Sequence, residues 1–298
     1  MASTKSVEVD VEGRRLRLSN LDKVLYPEAG FTKGQVIDYY TRAAPWLLPH
    51  LRGRALTLKR YPNGVEGGHF YEKNRPGHAP EWVRSRSISA GDKMIEFVLC
   101  DDLATLVWLA NLADLELHPS LALAADPDAP VVMAFDLDPG APAALAECCE
   151  VALLLRDALS HLGLECHPKT SGSKGMQVYV PLEGGATYND TKPFAHGVAK
   201  VLERAHPDLV VSVMNKEARR GKVFIDWSQN DRHKTTVGPY SLRAMAGPRV
   251  STPLSWAEVE RGDADALAFE ASQVLDRLER DGDLFAGVLD TPQHLPDL

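Results

Sequence analysis

No apolar run in the sequence approaches the ~18 to 20 residues that a membrane-spanning helix needs, and the opening MASTKSVEVD has no hydrophobic signal core. The expectation is a cytoplasmic protein without a membrane partner. Cysteine is scarce: Cys100, Cys148, Cys149 and Cys166 form no CxxC pair and no Cys/His zinc spacing. They read as reduced core residues, which excludes a disulfide framework and a structural zinc site; a vicinal redox pair at Cys148 and Cys149 is the lesser alternative. Internal repeats and low-complexity linkers are missing too, so one continuous unit is expected. A composition of 44% hydrophobic and 25% charged residues is ordinary for a globular enzyme and excludes extensive disorder.

Excess positive charge is also lacking, since the net charge is −8. The acid is unevenly placed, however. Residues 251 to 298 hold eleven Asp/Glu against three Arg, which accounts for the whole excess. Residues 50 to 100 carry nine Lys/Arg against five acids, and 211 to 250 carry eight against three. Either these are scattered solvated faces or they form a positive groove that total charge conceals.

VEVDVEGRRLRL, residues 7 to 18, alternates around Glu12-Gly13 as a hairpin does. Val36, Ile37 and Tyr40 have helical spacing after Thr32, a candidate cap. RALTLKRYP and KMIEFVLC read as strands, separated by a turn-rich span from Asn63 that is expected to be exposed. PAALAECCEVALLLRDALSHLG is a helix, with Pro142 near its start and Gly163 past its end. A strand near LECHPK, the strand MQVYVPL, a helix over about 190 to 205, and the strands DLVVSVM and KVFIDW follow. Helical periodicity then runs over 255 to 280. Antiparallel-type strands mixed with helices predict an α+β fold.

The chemistry begins at VVMAFDLDPG. Side chains alternate along a strand, so Asp136 and Asp138 share one face while Phe135 and Leu137 take the other. Two carboxylates so close repel unless a cation lies between them, and hard oxygen ligands suit Mg²⁺ or Mn²⁺. The bland reading is a solvated strand end. A third acid, Asp226, ends the apolar strand of GKVFIDWSQN, and the three side by side would equip a two-metal nucleotidyl transfer. In KTSGSKGMQVYV, Ser171, Ser173 and Lys174 sit in a turn punctuated by Gly172 and Gly175, which suits a triphosphate. It is not a Walker loop, because GxxxxGK[ST] is absent and a strand follows.

In order and spacing, FDLDPG, TSGSKGMQVYVPL and RRGKVFIDWSQN…KTTVGPYSLR resemble the polymerase domain of bacterial ligase D, within the archaeo-eukaryotic primase superfamily. LSNLDKVLYPEAGFTKGQVIDYY, HFYEKN and LANLADLELHPS extend the resemblance from about residue 7 to 290. It implies a primase-type catalytic core of mostly antiparallel sheets flanked by helices. One domain would span 1–298, with an N-terminal lobe of roughly 1–125 and a catalytic lobe of roughly 126–298 around a central cleft. The implied activity is template-dependent DNA/RNA polymerisation that prefers ribonucleotides and two Mn²⁺ (or Mg²⁺) ions and fills short gaps in non-homologous end joining. Carried over residue by residue, Asp136, Asp138 and Asp226 are the catalytic metal ligands. Ser171, Lys174 and Arg243 contact the incoming NTP or dNTP, and His118 and Gln229 line that pocket. Asn20, Lys23 and Lys33 grip the 5′-phosphate of a gapped DNA, Phe70 and Tyr71 stack on the template, and Arg219 lies at the DNA groove.

The residues allow plainer readings of several positions: Lys23 and Lys33 as solvated lysines, Phe70-Tyr71 as a small core under a loop, His118 as a cap on the preceding helix. Gln177 departs from the family, where histidine is common; glutamine donates a hydrogen bond but carries no proton charge. No KxDG-type nucleotidyl-lysine motif or phosphoesterase module is present, so a stand-alone polymerase or a domain of a longer protein is expected, with a ligase and a Ku-type end-binding protein as partners and a monomeric state. A haloacid dehalogenase-type phosphatase would place its DxD near the start of the chain. A DxD glycosyltransferase accounts for neither Asp226 nor the SGSKG turn. A non-catalytic DNA-end binding module would not need all three carboxylates and Lys174.

Overall fold

Glu12 and Gly13 both adopt positive φ, 53° and 76°, the requirement of a tight type I′ turn between β1 (Ser6–Val11) and β2 (Arg14–Ser19). The computed structural model describes residues 6–296. The hairpin register buries Leu16 and Leu18. A second short hairpin, β3 (Val24–Tyr26) and β4 (Phe31–Thr32), feeds α1 (Lys33–Leu51). Thr32 caps that helix in a capping box with Gln35, and Val36, Tyr40 and Leu47 are fully buried along it.

The N-terminal sheet is built on β5 (Arg54–Arg60). One edge of β5 pairs with β6 (Phe70–Glu72) and, through Leu56, with β8 (Lys93–Val98), which carries β7 (Ser85–Ala90) outside it. Helix α2 (Leu103–Asn111) leads into β9 (Asp114–Leu123), which pairs with the other edge. Leu56 and Leu58 join the core beneath, with α1 and α2.

A second five-stranded sheet contains β10 (Val132–Pro139), β11 (His167–Thr170), β12 (Met176–Pro181), β13 (Val210–Val211) and β14 (Val223–Asp226), in the order β11-β12-β10-β14-β13. Every pairing in it is antiparallel except β13 with β14. Helices α3 (Leu145–His161) and α4 (Tyr188–Ala205) pack their apolar stripes, Val151 and Leu155 on one and Phe194 and Val198 on the other, against Met133, Phe135 and Leu137. All four cysteines are free and buried. The fold is α+β with predominantly antiparallel sheets, as the patterning predicts. No helix among the described residues is long and apolar enough to cross a membrane.

Two local expectations need correction. The periodicity over 255 to 280 is two helices, α5 (Trp256–Arg261) and α6 (Ala271–Asp281), because Gly262 at φ 61° ends the first and residues 263 to 270 turn the chain; α7 (Gly287–Asp290) follows. The turn-rich span exposes Phe70 and Tyr71, as expected, on the short strand β6. His118 lies in the middle of β9 and caps no helix, since the preceding helix ends at Asn111. Helix α6 returns to the N-terminal half, burying Val274, Leu275 and Leu278 beside α1. Asp283 just beyond it pairs with His50 Nε2 at 2.8 Å and accepts from Tyr240 Oη at 2.6 Å.

Candidate active site

Strand β10 is apolar on both faces until Phe135. Val132 and Ala134 pack against Leu121 and Tyr179 on one side, and that same side turns acidic at Asp136 and Asp138. In β14, Asp226 stands directly opposite Asp136. Residues paired across an antiparallel ladder project to the same face, so three carboxylates collect on one patch of sheet. They strain one another. Burial and then Asp138 raise the pKa of Asp136, and burial and then Asp226 raise that of Asp138. A cation at this face would relieve the repulsion, and carboxylate oxygens are the donor set that Mg²⁺ or Mn²⁺ takes. Asp226 is already engaged: its Oδ1 accepts from Ser228 N at 2.9 Å and Ser228 Oγ at 2.5 Å, and its Oδ2 from Gln229 Nε2 at 2.7 Å. Among the described residues no three His, Cys, Asp or Glu side chains form a closed metal-binding group as they stand.

Asp136 and Asp138 open onto a cavity of about 250 Å³. His118, Ser171, Lys174, Gln229 and Arg243 line it as well, with Gln177 and Thr235. The Ser171–Gly175 turn joins β11 to β12 and depends on its glycines. A Cβ at Gly175 would lie 2.0 Å from the Leu137 carbonyl oxygen, and Gly172, at φ 68°, packs on the Val250–Ser251 backbone. Ser171 Oγ accepts from the amides of Ser173 and Gly175, so the turn is closed around its own serine. Arg243 Nη1 donates to the Ser171 carbonyl from across the cavity. Arg219 stacks 3.7 Å from the Phe224 ring centre and lies 4.0 Å from Asp138 Oδ2.

Two buried polar residues behind this cavity escape sequence reasoning. Lys169, wholly buried, donates Nζ to Gln177 Oε1 at 2.5 Å, Val237 O at 2.9 Å and Ser251 Oγ at 2.7 Å. Gln177 passes the contact on, donating Nε2 to Asp136 Oδ1 at 3.0 Å. With a donor at one end and a carboxylate at the other, its amide has one satisfied orientation. Glu116, only 2% exposed, is the second. Burial pushes its pKa up, but His118, Arg243 and Lys59 outweigh burial and hold it well below the usual carboxylate range. His118 is pulled the other way by burial, to below the usual imidazole value. The signal for Glu116 was the alternation LELH, which places it on the His118 face of a strand; nothing in HPKT distinguishes Lys169 from a surface lysine.

A second cavity, about 200 Å³, gathers Asn20, Lys23 and Lys33 with Arg60 and Asn111. Lys23 Nζ donates to Pro62 O at 2.5 Å and Lys33 Nζ to Ser19 O at 2.7 Å. Lys33 is 6% exposed, and burial followed by the charge of Lys23 lowers its pKa to about 8. Two cations held together in this way favour an anion between them. The solvated-lysine reading therefore fails for Lys33. Phe70 and Tyr71 are 44% and 59% exposed, which removes the small-core reading. As neighbours on β6 they face opposite ways: Phe70 lies over the Arg60 guanidinium at 5.1 Å, and Tyr71 faces Lys59 at 5.5 Å and His118 at 6.3 Å.

The model of the LigD primase-polymerase domain family matches residues 32–285. The multifunctional non-homologous end joining protein LigD of Mycolicibacterium smegmatis is 42% identical over 274 residues, which are 91% of this chain and 36% of that protein. The bifunctional non-homologous end joining protein LigD of Bacillus subtilis is 34% identical over 284 residues, 95% of this chain and 45% of that protein. The chain thus spans less than half the length of these relatives. The solved polymerase domain from Mycobacterium tuberculosis ligase D in complex with DNA superposes with a TM-score of 0.87 at 37% identity, covering 94% of this chain and 99% of that one. This chain belongs to the LigD primase-polymerase domain family, a family of polymerase-type nucleotidyltransferases.

Proposed function

We propose that this chain is a template-directed polymerase of DNA end joining that adds nucleotides, ribonucleotides by preference, across short gaps bounded by a 5′-phosphate. The observation that carries the reading is the register of Asp136 against Asp226, with Asp138 two residues on, at a cavity lined by Ser171, Lys174 and Arg243. Asp136, Asp138 and Asp226 would hold two Mn²⁺ or Mg²⁺ ions, which when bound activate the primer 3′-hydroxyl and neutralise the triphosphate. Lys174 and Arg243 supply fixed positive charge to the phosphates, Ser171 and His118 add polar contacts, and Gln229 steadies Asp226 through its amide. Asn20, Lys23 and Lys33 would take the downstream 5′-phosphate. Tyr71 and Phe70 would offer stacking faces to the template between the two cavities, each base contributing about 1–3 kcal/mol. Arg219, stacked beside Asp138, would meet the backbone at the groove.

The chain is proposed to act as one catalytic unit in the bacterial cytoplasm, on DNA, with a ligase and an end-binding protein of the Ku type. Extension of a labelled primer across a gap with Mn²⁺, comparing ribo- and deoxyribonucleotides, tests the reading. Asp136→Ala and Asp226→Ala are each expected to abolish addition while leaving the melting temperature within a few degrees of the parent. Undiminished extension by either variant would remove the site.

A further inference from the structure

We infer that Glu116 is the positioning residue of the nucleotide pocket, a single buried carboxylate that fixes Arg243 and His118 at the distances the triphosphate requires. The inference rests on the proposed reading of the cavity. Glu116 sits two residues before His118 on β9 and directly opposite Lys59 on β5. Its two oxygens gather donors from three separate segments. Lys59 Nζ reaches them at 3.1 and 3.2 Å, Tyr61 Oη donates at 3.1 Å, and the Ala244 amide donates at 3.2 Å. His118 Nε2 pairs at 3.0 Å, and Arg243 Nε lies 3.3 Å away, within ion-pair reach but without the alignment of a hydrogen bond.

The carboxylate is too buried to touch a substrate, so whatever it does is done through its partners. Two of these line the cavity. Among the described residues Arg243 has no other carboxylate within ion-pair reach, and its far nitrogen continues to the Ser171 carbonyl. Glu116 thereby ties β9, on one side of the cavity, to the glycine turn on the other. Arginine loses several rotatable degrees of freedom when held in one pose, and a guanidinium left free must be ordered again whenever an anion binds. The buried acid orders it beforehand, which is preorganisation of an anion site. It also offsets part of the positive charge of Lys59 and Arg243, which would otherwise repel one another inside the fold.

The test is a double-mutant cycle on single-nucleotide addition at a gapped duplex. Glu116→Gln keeps the shape and removes the charge. The expected result is an NTP KM raised about tenfold or more, the scale of one charge-assisted contact, with a smaller fall in kcat and unchanged affinity for the gapped DNA. In the Arg243→Ala background, Glu116→Gln should add little further, because the acid works chiefly through the arginine. Multiplicative KM effects, or a Glu116→Gln KM equal to the parent's, would overturn the inference. If Glu116→Gln does not fold, Glu116→Asp decides by the same criteria, since it keeps the charge and withdraws it from Arg243. An Arg243→Ala enzyme with the parent KM would overturn the nucleotide-pocket reading as well, whereas a raised KM there beside a silent Glu116→Gln would overturn only the role of Glu116.

Discussion

Lys33 occupies the first position of α1, nearly out of solvent, with Lys23 as its neighbour across the second cavity. Its pKa of about 8 sits well below the ordinary lysine value. A bound phosphate favours the charged amine, so binding raises that pKa and takes up a proton once the free amine has lost one. Affinity for 5′-phosphorylated gapped DNA should therefore be level below pH 8 and decline as pH rises through it, while the same DNA with a 5′-hydroxyl shows no such decline. Fluorescence anisotropy of the two substrates between pH 7 and pH 9.5 checks this, and parallel curves would exclude Lys33 from the phosphate contact. Lys23→Ala should likewise weaken the phosphorylated substrate selectively. At this scale the sequence displayed the donors but not their setting: nothing in TKGQ tells a reader that Lys33 is buried, because its neighbours Ser19, at the end of β2, and Lys23, in the link to β3, come from an earlier part of the chain.

The β11–β12 turn depends on close approach between strands. A side chain at 175 would collide with the Leu137 carbonyl in the middle of β10, between the two acidic positions. Gly175→Ala should displace the turn and β10 together, reducing nucleotide addition by at least about tenfold and lowering stability by about 1–3 kcal/mol, the usual effect of forced overpacking. Urea denaturation and primer extension read the two effects; an active, fully stable variant would mean the turn is softer than its contacts imply. Elements with a strong local period, such as α1, α3 and β10, were legible along the chain because their stripes match the cores they enter. Helix α2 and strand β9 were not separated by pattern, since LATLVWLANLADLEL is apolar nearly throughout, and β6 is a strand of three residues held by pairing with β5 rather than by its own composition. The pairing of Asp136 with Asp226 was foreseen only as strands lying side by side; register is set by tertiary packing and has no local signature.

Across the whole molecule, the acidic excess of residues 251 to 298 sits in a segment that the core requires. Helix α6 turns Glu279 and Asp276 outward and buries Val274, Leu275 and Leu278 against α1. Burial of those three side chains contributes about 5 to 9 kcal/mol at 1.5 to 3 each, which is comparable with the whole stability of a typical domain, about 5–15 kcal/mol. A chain ending at residue 262 should lose cooperative thermal unfolding by circular dichroism. A truncated protein melting within a few degrees of the full chain would contradict this.

Strand β5 carries one further implication. Leu56 and Leu58 anchor it from below, Arg60 on that side reaches the lysine-lined cavity, and Lys59 on the other reaches Glu116. Adjacent Cα atoms are about 3.8 Å apart, so Lys59 and Arg60 leave the strand at a short, fixed spacing. Under the proposed function the two ends of a break are thus gripped from opposite sides of one stiff ruler. Gaps of a matching length let both ends seat at once, whereas a longer gap must release one end or crumple its template, so the scaffold itself would favour short repairs over extended copying.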